Sequence, residues 1–171
     1  GFPDVMRLLL EARADTEATT KTPLMWSCET GHLKALELLL KWKANPNCTD
    51  NQGVSALSIA ARNGHANIVQ TLARQFSSQE KDIQAHAKAS GVHVTASYWG
   101  PMSEEALTLG ARKGHTDVVK ALLDNDADCD SRDEEGVTAL MWGAVHGHMG
   151  VVECLVKHKV EIDAHTMDGE T

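Results

Sequence analysis

The dipeptide Gly-His recurs at Gly31-His32, Gly64-His65, Gly114-His115 and Gly147-His148. Two of the intervals are 33 residues and the middle one is 50, which is one period carrying 17 extra residues. A period of this length constrains the fold more than any composition does. Each unit is too small to bury its own apolar face and has to bury it against its neighbours, so chain length sets the number of units and not the size of one core. A second ladder keeps the same register: Thr22-Pro23-Leu24, Ser55-Ala56-Leu57, Glu105-Ala106-Leu107 and Thr138-Ala139-Leu140 each stand nine residues before a Gly-His, and Thr171 falls 33 after Thr138. Aliphatic residues follow each Gly-His at helical spacing: Leu39-Leu40; Ile68-Val69 with Leu72; Val118-Val119 with Leu122-Leu123; Val151-Val152 with Leu155.

Each part of the unit has a physical reason. Pro23 suits a first helical turn, where its missing N–H has no intrahelical partner and its fixed φ is already helical. Small residues at Ser27-Cys28, Ala60-Ala61, Gly110-Ala111 and Ala144 let helices approach. The glycine of Gly-His ends the first helix in a left-handed conformation. Ala44-Asn45 and Ala127-Asp128 lead through loops to Gly53 and Gly136, ahead of the next helix. This run of Thr-Pro-Leu, small residues, Gly-His, Val-Val, Leu-Leu and Ala-Asp resembles the ankyrin repeat over nearly the whole chain outside the insertion. The resemblance implies an all-α solenoid of stacked helix-turn-helix units with projecting hairpin loops. It further implies protein recognition through a concave face and the hairpin tips.

In this register 1–21 is a partial repeat (second helix and loop), 22–54 and 55–78 are repeats, 79–104 is the insertion, and 105–137 and 138–170 are repeats. Both ends fall inside the period and neither carries a polar capping unit. The expectation is a window of a longer array or a partner-capped one. The chain is then a structural subunit of a large assembly, a region of a longer enzyme or channel, or a free-standing adaptor. The usual histidine after Thr-Pro-Leu is replaced by Met25, Ser58, Thr108 and Met141, which puts the family's side-chain bonds between repeats in question at those positions.

The insertion is expected to begin with a short helix from Gln79 to Ser90, since Ser77 and Glu80 have capping-box spacing. A strand-like alternation follows over 92–96, then a turn at Ser97-Tyr98-Trp99-Gly100-Pro101. The segment either folds back over its own solenoid or presents Tyr98 and Trp99 to a partner as aromatic anchors.

The formal charge is -8, and all of it belongs to residues 105–171, which hold fourteen acids and six bases; residues 1–104 are balanced at ten of each. That balance argues against a nucleic-acid partner, which requires clustered Lys and Arg. The densest run, from Asp124 to Glu135, falls on a predicted loop and hairpin and includes Asp133 and Glu134. It is either a solvated tip or a docking surface for a basic segment of a protein partner. Its acids also have the spacing of a calcium loop, but Cys129 stands where such a loop needs glycine. Cys154 and His158 share a helical face without normal zinc-ligand spacing. No metal or cofactor is expected, and no catalytic constellation stands outside the repeat register. Cys28, Cys48, Cys129 and Cys154 lack disulfide-framework spacing and read as free thiols of an intracellular, cytoplasmic chain. No stretch is apolar enough to enter a membrane.

The remaining candidates lie on the first helices. Trp26 and Trp142 hold one repeat position, which Ile59 and Leu109 fill in the other units, and such a ladder serves packing or recognition. Glu29, Arg62, Asn63, Arg112, Lys113 and His146 hold the variable positions at the helix ends, which in similar proteins line the concave face.

Overall fold

The computed structural model of the protein describes residues 21–90 and 99–158 together with Val160 and Ile162, the side chains of 79–90 excepted. Eight helices are described: α1 (Pro23–Thr30), α2 (Leu33–Lys41), α3 (Ala56–Arg62), α4 (Ala66–Ser90), α5 (Trp99–Arg112), α6 (Thr116–Leu123), α7 (Ala139–Val145) and α8 (Met149–Lys157). They pair as α1/α2, α3/α4, α5/α6 and α7/α8, and the pairs stack. The first helices α1, α3, α5 and α7 form one row and the second helices α2, α4, α6 and α8 the other. The partial repeat before Lys21, the strand-like run and Tyr98 lie outside the described residues.

Local chemistry sets the helix starts. Thr22, Ser55 and Thr138 are extended N-caps whose side-chain oxygens accept from the amides of Met25 (3.3 Å), Ser58 (3.0 Å) and Met141 (3.3 Å). Each first helix then ends at a Gly-His turn. Gly31, Gly64, Gly114 and Gly147 have φ between +68° and +78°, and the amides of His32, His65, His115 and His148 reach back to the carbonyls of Ser27, Ala60, Gly110 and Gly143 at 2.8–3.0 Å. Asp50 and Asp133 shape the projecting turns. Asp50 Oδ1 accepts from the amides of Gln52 and Val54, and Asp133 Oδ1 from those of Glu135 and Val137, all at 2.9–3.0 Å.

The core is one continuous ribbon between the two rows. Leu24, Leu57 and Leu107 from the first helices meet Leu39, Leu72, Leu122 and Leu155 from the second, all essentially inaccessible. Each such side chain contributes about 1.5–3 kcal/mol by leaving water. Close approach is also visible at Gly110, where an added Cβ would stand 3.0 Å from Val118 Cγ1.

The insertion is helical over 79–90 and that helix ends at Ser90, as expected, but it is not a separate helix. No capping box interrupts the chain at Ser77. The second helix of its repeat runs on without a break, so α4 has 25 residues where α2, α6 and α8 have eight or nine. The next first helix begins at Trp99 and not near Glu105, and α5 reaches 14 residues. Trp99, Gly100 and Pro101 are thus the first turn of a helix and not an aromatic turn; Pro101 is tolerated there because its position needs no intrahelical donor. Among the described residues of the insertion, 79–90 lengthen α4 and 99–104 lengthen α5.

Candidate functional site

The variable positions of the first helices are held in register by backbone contacts. His65 Nε2–H donates to the carbonyl of Glu29 (3.1 Å), His115 Nε2–H to that of Arg62 (3.1 Å) and His148 Nε2–H to that of Arg112 (3.2 Å). A carbonyl only accepts, so each ring must carry its proton on Nε2. The rings also lie on the preceding repeat's turn glycine: a Cβ on Gly31, Gly64 or Gly114 would come within 2.7–2.9 Å of His65, His115 or His148. Gly-His is therefore a contact between repeats as well as a turn within one, and it supplies bonds that the missing family histidines do not. One other bond joins adjacent repeats through the replaced position, from Ser58 Oγ to Glu105 Oε2 at 2.6 Å.

Because these rungs use main-chain carbonyls, the side chains at the same positions stay available. Trp26 is 54% exposed and Arg62, Asn63, Lys113 and His146 are exposed, while Glu29, Arg112 and Trp142 are half-buried. Several are partly engaged. Lys21 Nζ bonds Glu29 Oε2 at 2.8 Å and stands 5.2 Å from the Trp26 ring centroid. Asn63 Nδ2 donates to the Ile59 carbonyl at 2.8 Å, and His146 Nδ1–H donates to that of Trp142 at 3.1 Å, both sealing helix ends. Ile59 is buried, so the ladder position packs in that unit and is open at Trp26.

Trp142 is the most heavily connected of the candidates. Its Nε1–H donates to Asp133 Oδ2 at 2.7 Å, the Arg112 guanidinium lies 5.2 Å from its ring centroid, and His146 leans on it at 5.4 Å with His148 stacked behind at 5.8 Å. Asp133 therefore accepts from two backbone amides and an indole, and its carboxylate organises the hairpin. Between α5, this hairpin and α7 lies a cavity of about 460 Å³ lined by Pro101, Glu104, Glu105, Thr108, Leu109, Arg112, Arg132, Asp133, Glu134, Glu135 and Trp142. Sequence reasoning named Arg112, Asp133, Glu134 and Trp142 singly. It missed Glu104 and Pro101, which reach the cavity only because α5 starts early.

Of the two alternatives for the insertion, Trp99 follows the fold-back one and not the exposed anchor: it is 8% exposed and its ring packs against Phe76 at a centroid distance of 5.6 Å. It joins the extended parts of α4 and α5. The available signal was Phe76, an aromatic placed where a loop should begin.

Asp128, Cys129 and Asp130 bring oxygen and sulfur atoms within 4.8 Å of one another. The Asp128 carboxylate accepts from the Asp130 amide at 3.0 Å and the Cys129 thiol donates to Asp130 at 3.7 Å, so the cluster is accounted for as turn chemistry. The four cysteines are free thiols. Burial, aided by the nearby Cys48, pushes the Cys28 thiol up to about 12, which removes it from nucleophilic chemistry. Among the described residues no helix is long and apolar enough to cross a membrane.

Comparison with known proteins agrees with the geometry. The pattern of ankyrin repeats in three copies matches residues 1–87 and 87–168. The chain is 31% identical over 131 residues to ankyrin repeat domain-containing protein 63 of Mus musculus, an alignment covering 71% of this chain and 30% of that protein. It is 32% identical over 127 residues to ankyrin repeat and KH domain-containing protein mask-1 of Caenorhabditis elegans, covering 74% and 4%. It is 28% identical over 151 residues to potassium channel AKT2/3 of Arabidopsis thaliana, covering 77% and 19%. The chain thus spans less than a third of the length of each of these relatives. With its stacked helix pairs, Gly-His turns and matched repeat pattern, the chain belongs to the ankyrin-repeat family.

Proposed function

We propose that this chain is a non-catalytic protein-binding scaffold whose partner lies along the first-helix row and the hairpin tips. The observation that carries this reading is the histidine ladder. It spends only backbone carbonyls on fixing Glu29, Arg62 and Arg112 in register, and so leaves their unlike side chains out of the rungs on a stiff frame. Acidic, basic and aromatic groups follow one another along that row, and charge order of this kind sets partner choice and approach rate more than raw affinity.

A photo-crosslinking residue placed in turn at Trp26, Arg62 and His146 tests this against the same residue at Lys34 and Lys120 on the second helices. Covalent protein adducts from the first group alone are expected. Adducts from the second group alone would contradict the reading.

A second reading, that these repeats are the targeting or regulatory region of a longer protein, is favoured by the small share of each relative that the chain covers. The two are compatible, because a targeting region also works by binding a protein.

A further inference from the structure

We infer that the cavity between α5, the 131–137 hairpin and α7 receives an arginine side chain from an extended segment of the partner, an assignment that rests on the scaffold reading above. Five carboxylates line it, from Glu104, Glu105, Asp133, Glu134 and Glu135, against two guanidinium groups, from Arg112 and Arg132. Two of those carboxylates are already used: Glu105 accepts from Ser58 and Asp133 from the Trp142 indole. Among the described residues, the Glu104, Glu134 and Glu135 side chains form no hydrogen bond or ion pair, and they line the cavity half-buried at Glu104 and exposed at Glu134 and Glu135.

The walls suit a planar cation. Trp142 offers an indole whose N–H is tied to Asp133, so the ring is oriented before anything binds. The protein's own Arg112 guanidinium lies over that ring, 5.2 Å from its centroid, so the incoming guanidinium is placed against the carboxylates and not on the ring face that Arg112 covers. Arginine matches unpaired carboxylates with a rigid fork of donors, where lysine offers a point charge. At about 460 Å³ the cavity falls within the range of small-ligand sites and holds one long side chain with its adjoining backbone. Five carboxylates against two guanidinium groups leave the lining with an excess of three negative charges, which disfavours an anionic ligand and favours a cationic one.

The probe is a displayed library of random linear peptides selected on the whole 171-residue chain. The enriched peptide is then synthesised with arginine and with citrulline, its neutral isostere, and both are measured by fluorescence anisotropy. Enrichment of arginine is expected, with at least about tenfold weaker binding of the citrulline form. A similar loss is expected when the arginine form meets Glu104→Gln/Glu134→Gln/Glu135→Gln, a variant that removes no hydrogen bond and keeps the unmodified melting temperature. Selection without arginine enrichment, a library that yields no binder, or equal affinity of the two peptide forms overturns the assignment. A peptide that binds the triple variant normally but is lost from Trp26→Ala/Arg62→Ala overturns the cavity while leaving the first-helix row as the binding face. Binding indifferent to both variants overturns the cavity and the scaffold reading together.

Discussion

His115 Nε2 lies 3.1 Å from the carbonyl oxygen of Arg62, 53 positions earlier, and the equivalent bonds from His65 to Glu29 and from His148 to Arg112 each span 36. The difference is the 17 residues by which the middle interval exceeds one period. The stack therefore closes over the inserted residues as if they were absent, and the rung at His115 measures how well it does so. His115→Phe keeps a ring over Gly64 but loses the donor, and should cost about 1 kcal/mol. Gly64→Ala should cost more, because its φ of +78° imposes about 1–2 kcal/mol on any Cβ and the new atom would also stand 2.9 Å from the His115 ring. Gly147 has a similar φ of +68° with no described atom within 4 Å of the added Cβ, so Gly147→Ala should show the backbone term alone. Urea denaturation of the three variants checks the order.

The Phe76–Trp99 contact makes a second prediction. Trp99→Ala should destabilise by about 3–5 kcal/mol, as buried aromatic truncations do, while Trp99→Phe should recover most of that. An exposed anchor would give little change in stability for either. Guanidinium unfolding followed by circular dichroism separates the two cases.

Trp142→Phe keeps the ring and removes its bond to Asp133. A hydrogen bond to a charged acceptor is worth about 1.5–3 kcal/mol, and the half-buried setting brings the expected loss to about 1 kcal/mol. The hairpin should loosen with it. Faster amide exchange at Glu135 and Val137, whose N–H groups also bond Asp133, is the readout.

Stability should fall at high pH through Cys28. Its thiol titrates near 12 when folded and near its ordinary 9.0 once unfolded. Between those values the folded state keeps a proton that the unfolded state has lost, so each pH unit removes up to about 1.4 kcal/mol; below pH 9 both states are protonated and the contribution is flat. Denaturation midpoints between pH 8 and 11 should show this slope in the unmodified chain and a shallower one in Cys28→Ala.

The repeat was legible because its signals are local and periodic. Thr22, Ser55 and Thr138 cap, the Gly-His glycines turn left-handed, and the aliphatic pairs face inward, each for reasons visible within a few residues. The helix over 79–90 was legible but its lack of a separate start was not, because Ser77 with Glu80 has the spacing of a helix start but sits in the middle of α4, where continuing the helix satisfies the same amides. Trp99 was misplaced for the same reason: aromatic content beside Gly100 and Pro101 reads as a turn unless the packing partner Phe76 is known. The cavity depends on Trp142 meeting Asp133 and on α5 starting early enough to bring Glu104 beside them. Asp50 holds the matching hairpin position, but Ile59 stands where Trp142 would be and has no N–H to offer, so the period alone could not distinguish the two hairpins.

The chain's four tryptophans supply the most direct test. Trp26 and Trp142 lie on the first-helix row, Trp42 at the end of α2, and Trp99 between α4 and α5, so four indole N–H resonances report separate regions of the protein. During titration with N-acetyl-arginine amide, the account predicts that the Trp142 signal moves in a saturable way while those of Trp42 and Trp99 hold still, and that the citrulline analogue moves none of them. A stationary Trp142 signal, or equal shifts with citrulline, would contradict it.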